Sequence, residues 1–309
     1  LKIKFPEKIS KSLKAAGIQT IHPLVDIVNF VMLESGQPMH VFDLDKILGD
    51  IEVRFAKPKE TIKILGEKDL KLAKDCLVIA DDKEPIALAG ISGGLNHSVS
   101  KKTKNFLIES AYFDPGAIKG RARRYGFQTD ASQRFERGVD FNLHDEALKH
   151  VVNIVQDIYQ TDISEIETIK NKYFPKNKKI NISIHDINQK LGTSLKENFV
   201  KSILKRLEIK LIKVNKSNLT FEVPSHRFDL SIKEDLVEEI ARIVGYDNLP
   251  QIKAEQVSQN YEKSNYDFTN VIKTLMKNKG FNEVINYSFL DKKILEDLGL
   301  KENSISLKN

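Results

Sequence analysis

Apolar and polar residues alternate in short runs over the first half of the chain. IEVRFA (51–56), TIKIL (61–65), CLVIA (76–80) and IALAG (86–90) read as strands divided by charged turns. KNFLIESAYF (104–113) is a longer alternation that sets Leu107, Glu109 and Ala111 on one strand face and Phe106, Ile108 and Ser110 on the other. The period changes at LHDEALKHVVNIVQDIYQ (143–160), where Leu143, Ala147, Val151, Val152, Ile154, Val155 and Ile158 fall at helical spacing. An amphipathic helix is expected there, closing a mixed α and β domain. The stretch KNKYFPKNKK (170–179), with Pro175 and five lysines, reads as a linker or, more plainly, as a solvated loop. Beyond it, INISI (180–184) is a strand, and NFVKSILKRLEI (198–209) is a helix with Val200, Ile203, Leu204 and Leu207 on one face. After Pro250 the helix FTNVIKTLMKNKG (268–280) opens a third pattern. The pattern predicts a multi-domain α+β chain divided at residues 1–173, 174–250 and 251–309.

A chain of 309 residues is long enough for about two compact domains with sizeable cores. No apolar run reaches the roughly 20 residues that a membrane-crossing helix needs, and the start LKIKFPEKISKSLKAAGI has no signal-peptide pattern. A cytoplasmic protein with no membrane partner is expected. The missing initiator methionine and the uncapped tail SISLKN (304–309) suggest an excised piece. The single cysteine, Cys76, excludes an internal disulfide framework and a zinc–cysteine site. The net charge of +6 suits a phosphate-bearing partner, but 43 acidic residues lie among 49 basic ones, so charge alone does not identify an RNA-binding protein.

Three segments carry candidate chemistry. In LESGQPMHVFDLDKI (33–47), Gly36, Pro38 and His40 suggest a rigid turn that presents an imidazole, although a loop histidine held by hydrogen bonds fits the same residues. In IALAGISGG (86–94), Gly90, Gly93 and Gly94 would let the backbone approach a ligand or would simply make a turn; the spacing matches no nucleotide-binding loop. In the third, Glu109 shares a strand face with apolar neighbours and needs a hydrogen-bonding partner, from the protein or from a substrate. Downstream, Arg121, Arg123 and Arg124 form a basic cluster, and Thr129, Asp130 and Ser132 stand where a helix N-cap is expected. No Ser-His-Asp or Cys-His arrangement is visible.

Five collinear segments then carry a family resemblance: 22–47, 85–94, 107–115, ARRYGFQTDASQRFERGVD (122–140) and PSHRFDLSIKEDLVEEIARIVGYDNLP (224–250). Together they resemble the beta chain of bacterial phenylalanine–tRNA ligase over essentially the whole sequence. The resemblance implies a β/β/α three-layer editing domain, a small winged-helix-like domain, and the start of a catalytically inactive class II synthetase-like domain. It implies that His40, Glu109 and Thr129 act in hydrolysis, and that Gly93 and Ala131 border the pocket for a misplaced tyrosine. Ser92 stands where many relatives carry a larger apolar residue. Asp229, Asp235, Glu238 and Glu239 match a magnesium site shared with an alpha chain. On the helix these four would open, Ser231 and Glu234 are expected to form a capping box.

The function so implied is hydrolysis of mischarged tyrosyl-tRNA(Phe) and scaffolding of an alpha subunit, in a two-alpha, two-beta enzyme that uses ATP and magnesium. This segment by itself would bind no ATP and form no aminoacyl bond. Two alternatives are a non-enzymatic RNA-binding module and a free-standing deacylase acting in trans. A hydrophobic pocket rejects an added hydroxyl by only about 100-fold, whereas a site that hydrogen-bonds the hydroxyl discriminates by about 10⁴ to 10⁵. A buried Glu109 would be satisfied by the tyrosyl phenol and left unpaired by phenylalanine.

Overall fold

The computed structural model describes residues 5–64, 69–164, 166–170, 172–215, 218–251, 265–300 and 305. They belong to two compact units, Leu1–Pro250 and Gln251–Asn309. The first begins with α1 (Glu7–Ala15) and α2 (Pro23–Ser35). Pro23 suits a first helical turn because its missing N–H would be unpaired there, and Gly36 ends α2 in the left-handed conformation at φ 83°. Eight strands follow: β1 (Met39–Asp43), β2 (Glu52–Phe55), β3 (Thr61–Lys63), β4 (Asp69–Lys71), β5 (Leu77–Ala80), β6 (Pro85–Leu88), β7 (Ser92–Gly93) and β8 (Phe106–Ser110). They pair antiparallel as β2-β5-β6-β7, β3-β4 and β1-β8. Helices α3 (Pro115–Ile118), α4 (Arg121–Arg124), α5 (Asp130–Arg137) and α6 (His144–Tyr159) complete this part.

The β1-β8 ribbon separates two cores. Leu107 and Ala111 turn to the cluster of the four-stranded sheet, built on Val78, Ile86 and Leu88 with Ile118 and Phe135 from the helices. Phe106 and Ile108 turn to the cluster of α1, α2 and α6, where Leu13, Ile27, Val31 and Val151 are fully buried. Each such side chain contributes about 1.5–3 kcal/mol through burial, so the ribbon is held from both faces. Alternation therefore points Glu109 toward the sheet core, beside Leu107 and Ala111.

The basic stretch read as a linker carries an anchor. Phe174 packs its ring edge-to-face on Phe141 and His144, both with centroids 5.9 Å away, and on Tyr112 at 6.5 Å. The second half of this unit runs β9 (Lys179–Ser183), α7 (Ile184–Leu191), α8 (Glu197–Arg206), β10 (Lys210–Asn215), β11 (Asn218–Glu222) and α9 (Lys233–Val244). Its antiparallel sheet, ordered β10-β11-β9, shares a core with the helices through Ile187, Val200, Leu204, Phe221 and Leu236. The other unit contains α10 (Asn265–Asn278) and α11 (Lys292–Asp297). The chain is thus a mixture of helices and several small sheets, as the alternation predicts.

Candidate functional site

His40 and Glu109 lie directly opposite each other in the β1-β8 register. Gly93 on β7 closes the space above them: a Cβ built there would stand 2.1 Å from His40 Nε2. Only a glycine allows the imidazole its observed position. Ala131 and Phe135 reach the same space from α5, and Met39, Gly90, Ile91 and Ser92 line the remainder. His40, Glu109, Gly93 and Ala131 are therefore brought together although they are far apart in sequence. The imidazole sits one step beyond the predicted turn, on β1 rather than on the turn itself.

Thr129 is placed differently. It is the N-cap of α5, its Oγ1 accepting from Ser132 N–H at 3.0 Å and donating to Ile91 O at 2.7 Å, while Ser132 Oγ accepts from Thr129 N–H at 3.0 Å. The hydroxyl is committed to the backbone of a pocket-lining residue, so Thr129 shapes the wall rather than facing the cavity. The basic cluster is also internally paired. Arg124 meets Asp75 with both terminal nitrogens, Arg121 lies 3.4 Å from the same carboxylate, and Arg123 meets Glu136.

Both facing groups are shifted by burial. The imidazole is pushed down to about 4 and the Glu109 carboxyl up to about 7. Part of each side chain opens toward the cavity, but Nε2 of His40 is sealed from solvent and has no hydrogen-bond partner among the described residues. No described hydrogen bond or ion pair holds the Glu109 carboxyl. The cavity measures about 50 Å³. That is room for ordered water, whereas a cavity that admits benzene is about 150 Å³, so entry of a phenol ring requires the lining to shift. A larger cavity of about 470 Å³ lies behind β8, against α6 and residues 161–164, 166 and 167. It brings no imidazole to a carboxyl.

The shifts have a stability consequence. Glu109 is protonated more readily in the folded chain, so it costs nothing below pH 4.5, and the cost grows to about 3 kcal/mol by pH 7. His40 is protonated less readily in the folded chain; its cost is absent above pH 6.5 and grows to about the same size as pH falls to 4. Between those limits folding moves one proton from the imidazole to the carboxyl and exchanges none with solvent, so the two dependences cancel. Glu109→Gln removes one of them. Urea unfolding is expected to show the variant gaining about 3 kcal/mol on the parent chain between pH 4 and pH 8; a gap independent of pH would contradict the buried carboxyl.

The four carboxylates matched to a magnesium site do not converge. Among the described residues no group of three or more His, Cys, Asp or Glu side chains is arranged to hold a metal ion. Arg227 takes two of them, with Nη2 at 2.7 Å from Asp229 Oδ2 and 2.9 Å from Glu239 Oε1, and Arg242 adds a contact of 2.6 Å to Glu239. The Arg227 guanidinium holds both carboxyls below their ordinary range. Asp235 caps α9 by accepting from Ser231 N–H at 2.6 Å and Ile232 N–H at 2.9 Å. The cap is thus Asp235, not the Ser231–Glu234 box; Glu234 pairs instead with Lys190 at 2.7 Å. Glu238 is exposed. Within this chain the four carboxylates are not gathered for a metal: Asp229 and Glu239 are held by Arg227, Asp235 is turned to its helix end, and Glu238 is exposed. Asp235→Ala is expected to cost about 1 kcal/mol in urea unfolding through loss of the cap; no loss would show the cap to be idle.

Three family models match the chain in order: the B3/4 domain over residues 2–160, the tRNA synthetase B5 domain over 180–246, and the phenylalanyl tRNA synthetase beta chain CLM domain over 247–309. This succession defines a component of an aminoacyl-tRNA synthetase. Phenylalanine–tRNA ligase beta subunits from Psychrobacter arcticus and Coxiella burnetii are 43% and 40% identical over 97% and 98% of this chain. The chain belongs to the phenylalanine–tRNA ligase beta-subunit family. It spans 38% of the length of each of those two relatives. Among solved structures, an N-terminal fragment of the beta subunit from Pyrococcus horikoshii aligns with a TM-score of 0.34 and 13% identity, covering 71% of this chain and 64% of that one. Among the described residues, no helix is long and apolar enough to cross a membrane.

Proposed function

We propose that the pocket between β1, β7, β8 and α5 hydrolyses tyrosyl esters of tRNA(Phe). The observation that carries this reading is the unpaired Glu109 carboxyl facing His40 beneath Gly93. A tyrosyl phenol gives that carboxyl the hydrogen-bond partner the protein does not; a phenylalanyl ring would bury it unpaired. Water then attacks the ester carbonyl, the bond from the acyl carbon to the ribose oxygen breaks, and the proton lost by the water ends on that oxygen, releasing tyrosine and tRNA. The ester is already reactive, so holding a water against it supplies much of the rate. His40 is neutral at neutral pH, and an imidazole titrating near 4 is a weak base. It therefore serves to orient water or substrate. Thr129 and Ala131 shape the wall through α5.

In this reading residues 1–173 form a β/β/α editing domain, 174–250 a winged-helix-like domain, and 251–309 part of an inactive class II synthetase-like domain. The whole cytoplasmic protein would work with an alpha subunit that attaches phenylalanine using ATP and magnesium, and this segment would contact tRNA(Phe). In this chain Asp229 and Glu239 are held by Arg227. A stable tyrosyl amide of 3′-amino-3′-deoxyadenosine tests the pocket without turnover. It is expected to shift the His40 ring resonances, and the phenylalanyl analogue to leave them in place; equal shifts from both would remove Glu109 as the selector.

A further inference from the structure

We infer that Gln37 is a positioning residue for the His40–Glu109 pair, donating to Ala111 the cross-strand hydrogen bond that Pro38 lacks the N–H to make. This rests on the function proposed above. Leu44 N–H donates to Asn105 O at 3.0 Å. In an antiparallel ribbon, alternate facing pairs exchange both backbone hydrogen bonds, so pairs 44/105, 42/107 and 40/109 are of the bonded kind. The next is 38/111. There a proline on β1's side leaves the Ala111 carbonyl without its backbone donor. Gln37 Nε2 donates to Ala111 O at 2.8 Å and to Pro38 O at 3.0 Å. The side chain closes the position as the missing N–H would have done.

The ribbon needs that closure. Packing on both faces holds the ribbon in place, but its register at the pocket end depends on the cross-strand bonds there, and a slip of one residue would turn His40 and Glu109 to opposite faces. At its far end the ribbon is tied by Thr103 Oγ1 donating to Asp43 Oδ2 at 2.7 Å and by Asp43 N–H donating to His97 O at 2.9 Å. At the pocket end the side-chain tie is Gln37, which is 0% exposed. Its Oε1 is buried without a partner. An acceptor left unpaired costs stability, so the glutamine is justified by its donor and not by its oxygen.

Gln37→Met keeps length and volume but removes the donor, and Pro38→Ala in that background restores a backbone N–H at the gap. In the whole chain, Gln37→Met is expected to lower kcat for tyrosyl-tRNA(Phe) hydrolysis by about ten- to a hundredfold with KM little changed. The melting temperature should stay within a few degrees, the His40 titration should move from about 4 toward its ordinary value, and the double variant should recover most of the rate. Wild-type kcat and an unchanged His40 titration in Gln37→Met would overturn the assignment, as would a lost rate that Pro38→Ala does not restore. If the parent chain hydrolyses no tyrosyl ester, the proposed function fails, but Gln37 can still be judged. Faster amide hydrogen exchange at His40 and Glu109, whose N–H groups face across the ribbon, in Gln37→Met, reversed in the double variant, would uphold the tie, and unchanged exchange would refute it. Should Gln37→Met not fold, the double variant carries the same test: folding restored by the returned N–H supports the tie, and folding still lost refutes it.

Discussion

Glu109→Ala is expected to erase the preference for tyrosyl over phenylalanyl esters. On the proposed function, the phenol satisfies in the parent chain a carboxyl that has no described partner, whereas phenylalanine would bury it unpaired. A site of that kind discriminates by about 10⁴ to 10⁵. Without the carboxyl, only a hydrophobic cavity remains, and such a cavity separates the two rings by about 100-fold at most. The ratio of the two hydrolysis rates should therefore fall by about two orders of magnitude or more, through loss of the tyrosyl rate, gain of the phenylalanyl rate, or both. An unchanged ratio would remove Glu109 from recognition. Glu109→Gln offers a sharper comparison. An amide can still meet the phenol, so it should keep more of the ratio than alanine does.

Gly93→Trp is expected to abolish hydrolysis of both esters while leaving the far-ultraviolet spectrum of the chain intact. Even a Cβ at this position would stand 2.1 Å from His40 Nε2 and 2.2 Å from Cε1, closer than any real contact. The imidazole would have to leave its place opposite Glu109, and an indole would compete with the substrate ring for whatever space the lining opens. Misplacement of a positioning group by about 1 Å costs on the order of 100-fold, so the loss should exceed that. Gly93→Ala separates the two effects, since it displaces the ring without filling the space; an intermediate rate is expected. A tryptophan variant with the parent rate would exclude a pocket beneath this loop.

Much of the fold was legible because short strands keep their alternation. The segments read as strands at 51–56, 61–65 and 76–80 contain β2, β3 and β5, that at 86–90 overlaps β6, and the helical spacing at 143–160 is α6. Helix α2 escaped the same reading. It buries Leu24, Ile27, Val28, Phe30, Val31 and Met32, so it is apolar on most sides and has no polar stripe to reveal its period. The face carrying Glu109 could be read from alternation, but its partner could not. His40 and Glu109 meet by pairing strands 69 residues apart, and no local pattern specifies such a register. The role of Gln37 was hidden for the same reason: a proline's missing N–H matters only once the strand across from it is known.

The carboxylates before and within α9 show what local spacing leaves out. Their sequence spacing suggested one cluster, yet Asp235 turns back to its own helix end, and Arg227, twelve residues before Glu239, draws that carboxylate together with Asp229. Side chains close on a helix projection separate when each finds a stronger partner.

Deacylation of tyrosyl-tRNA(Phe) by the purified chain, run beside phenylalanyl-tRNA(Phe) under the same conditions, tests whether this pocket edits. Release of tyrosine is expected well above the spontaneous rate and at least 100-fold faster than release of phenylalanine. Equal rates for the two esters, or a tyrosyl rate no faster than in buffer, would contradict it.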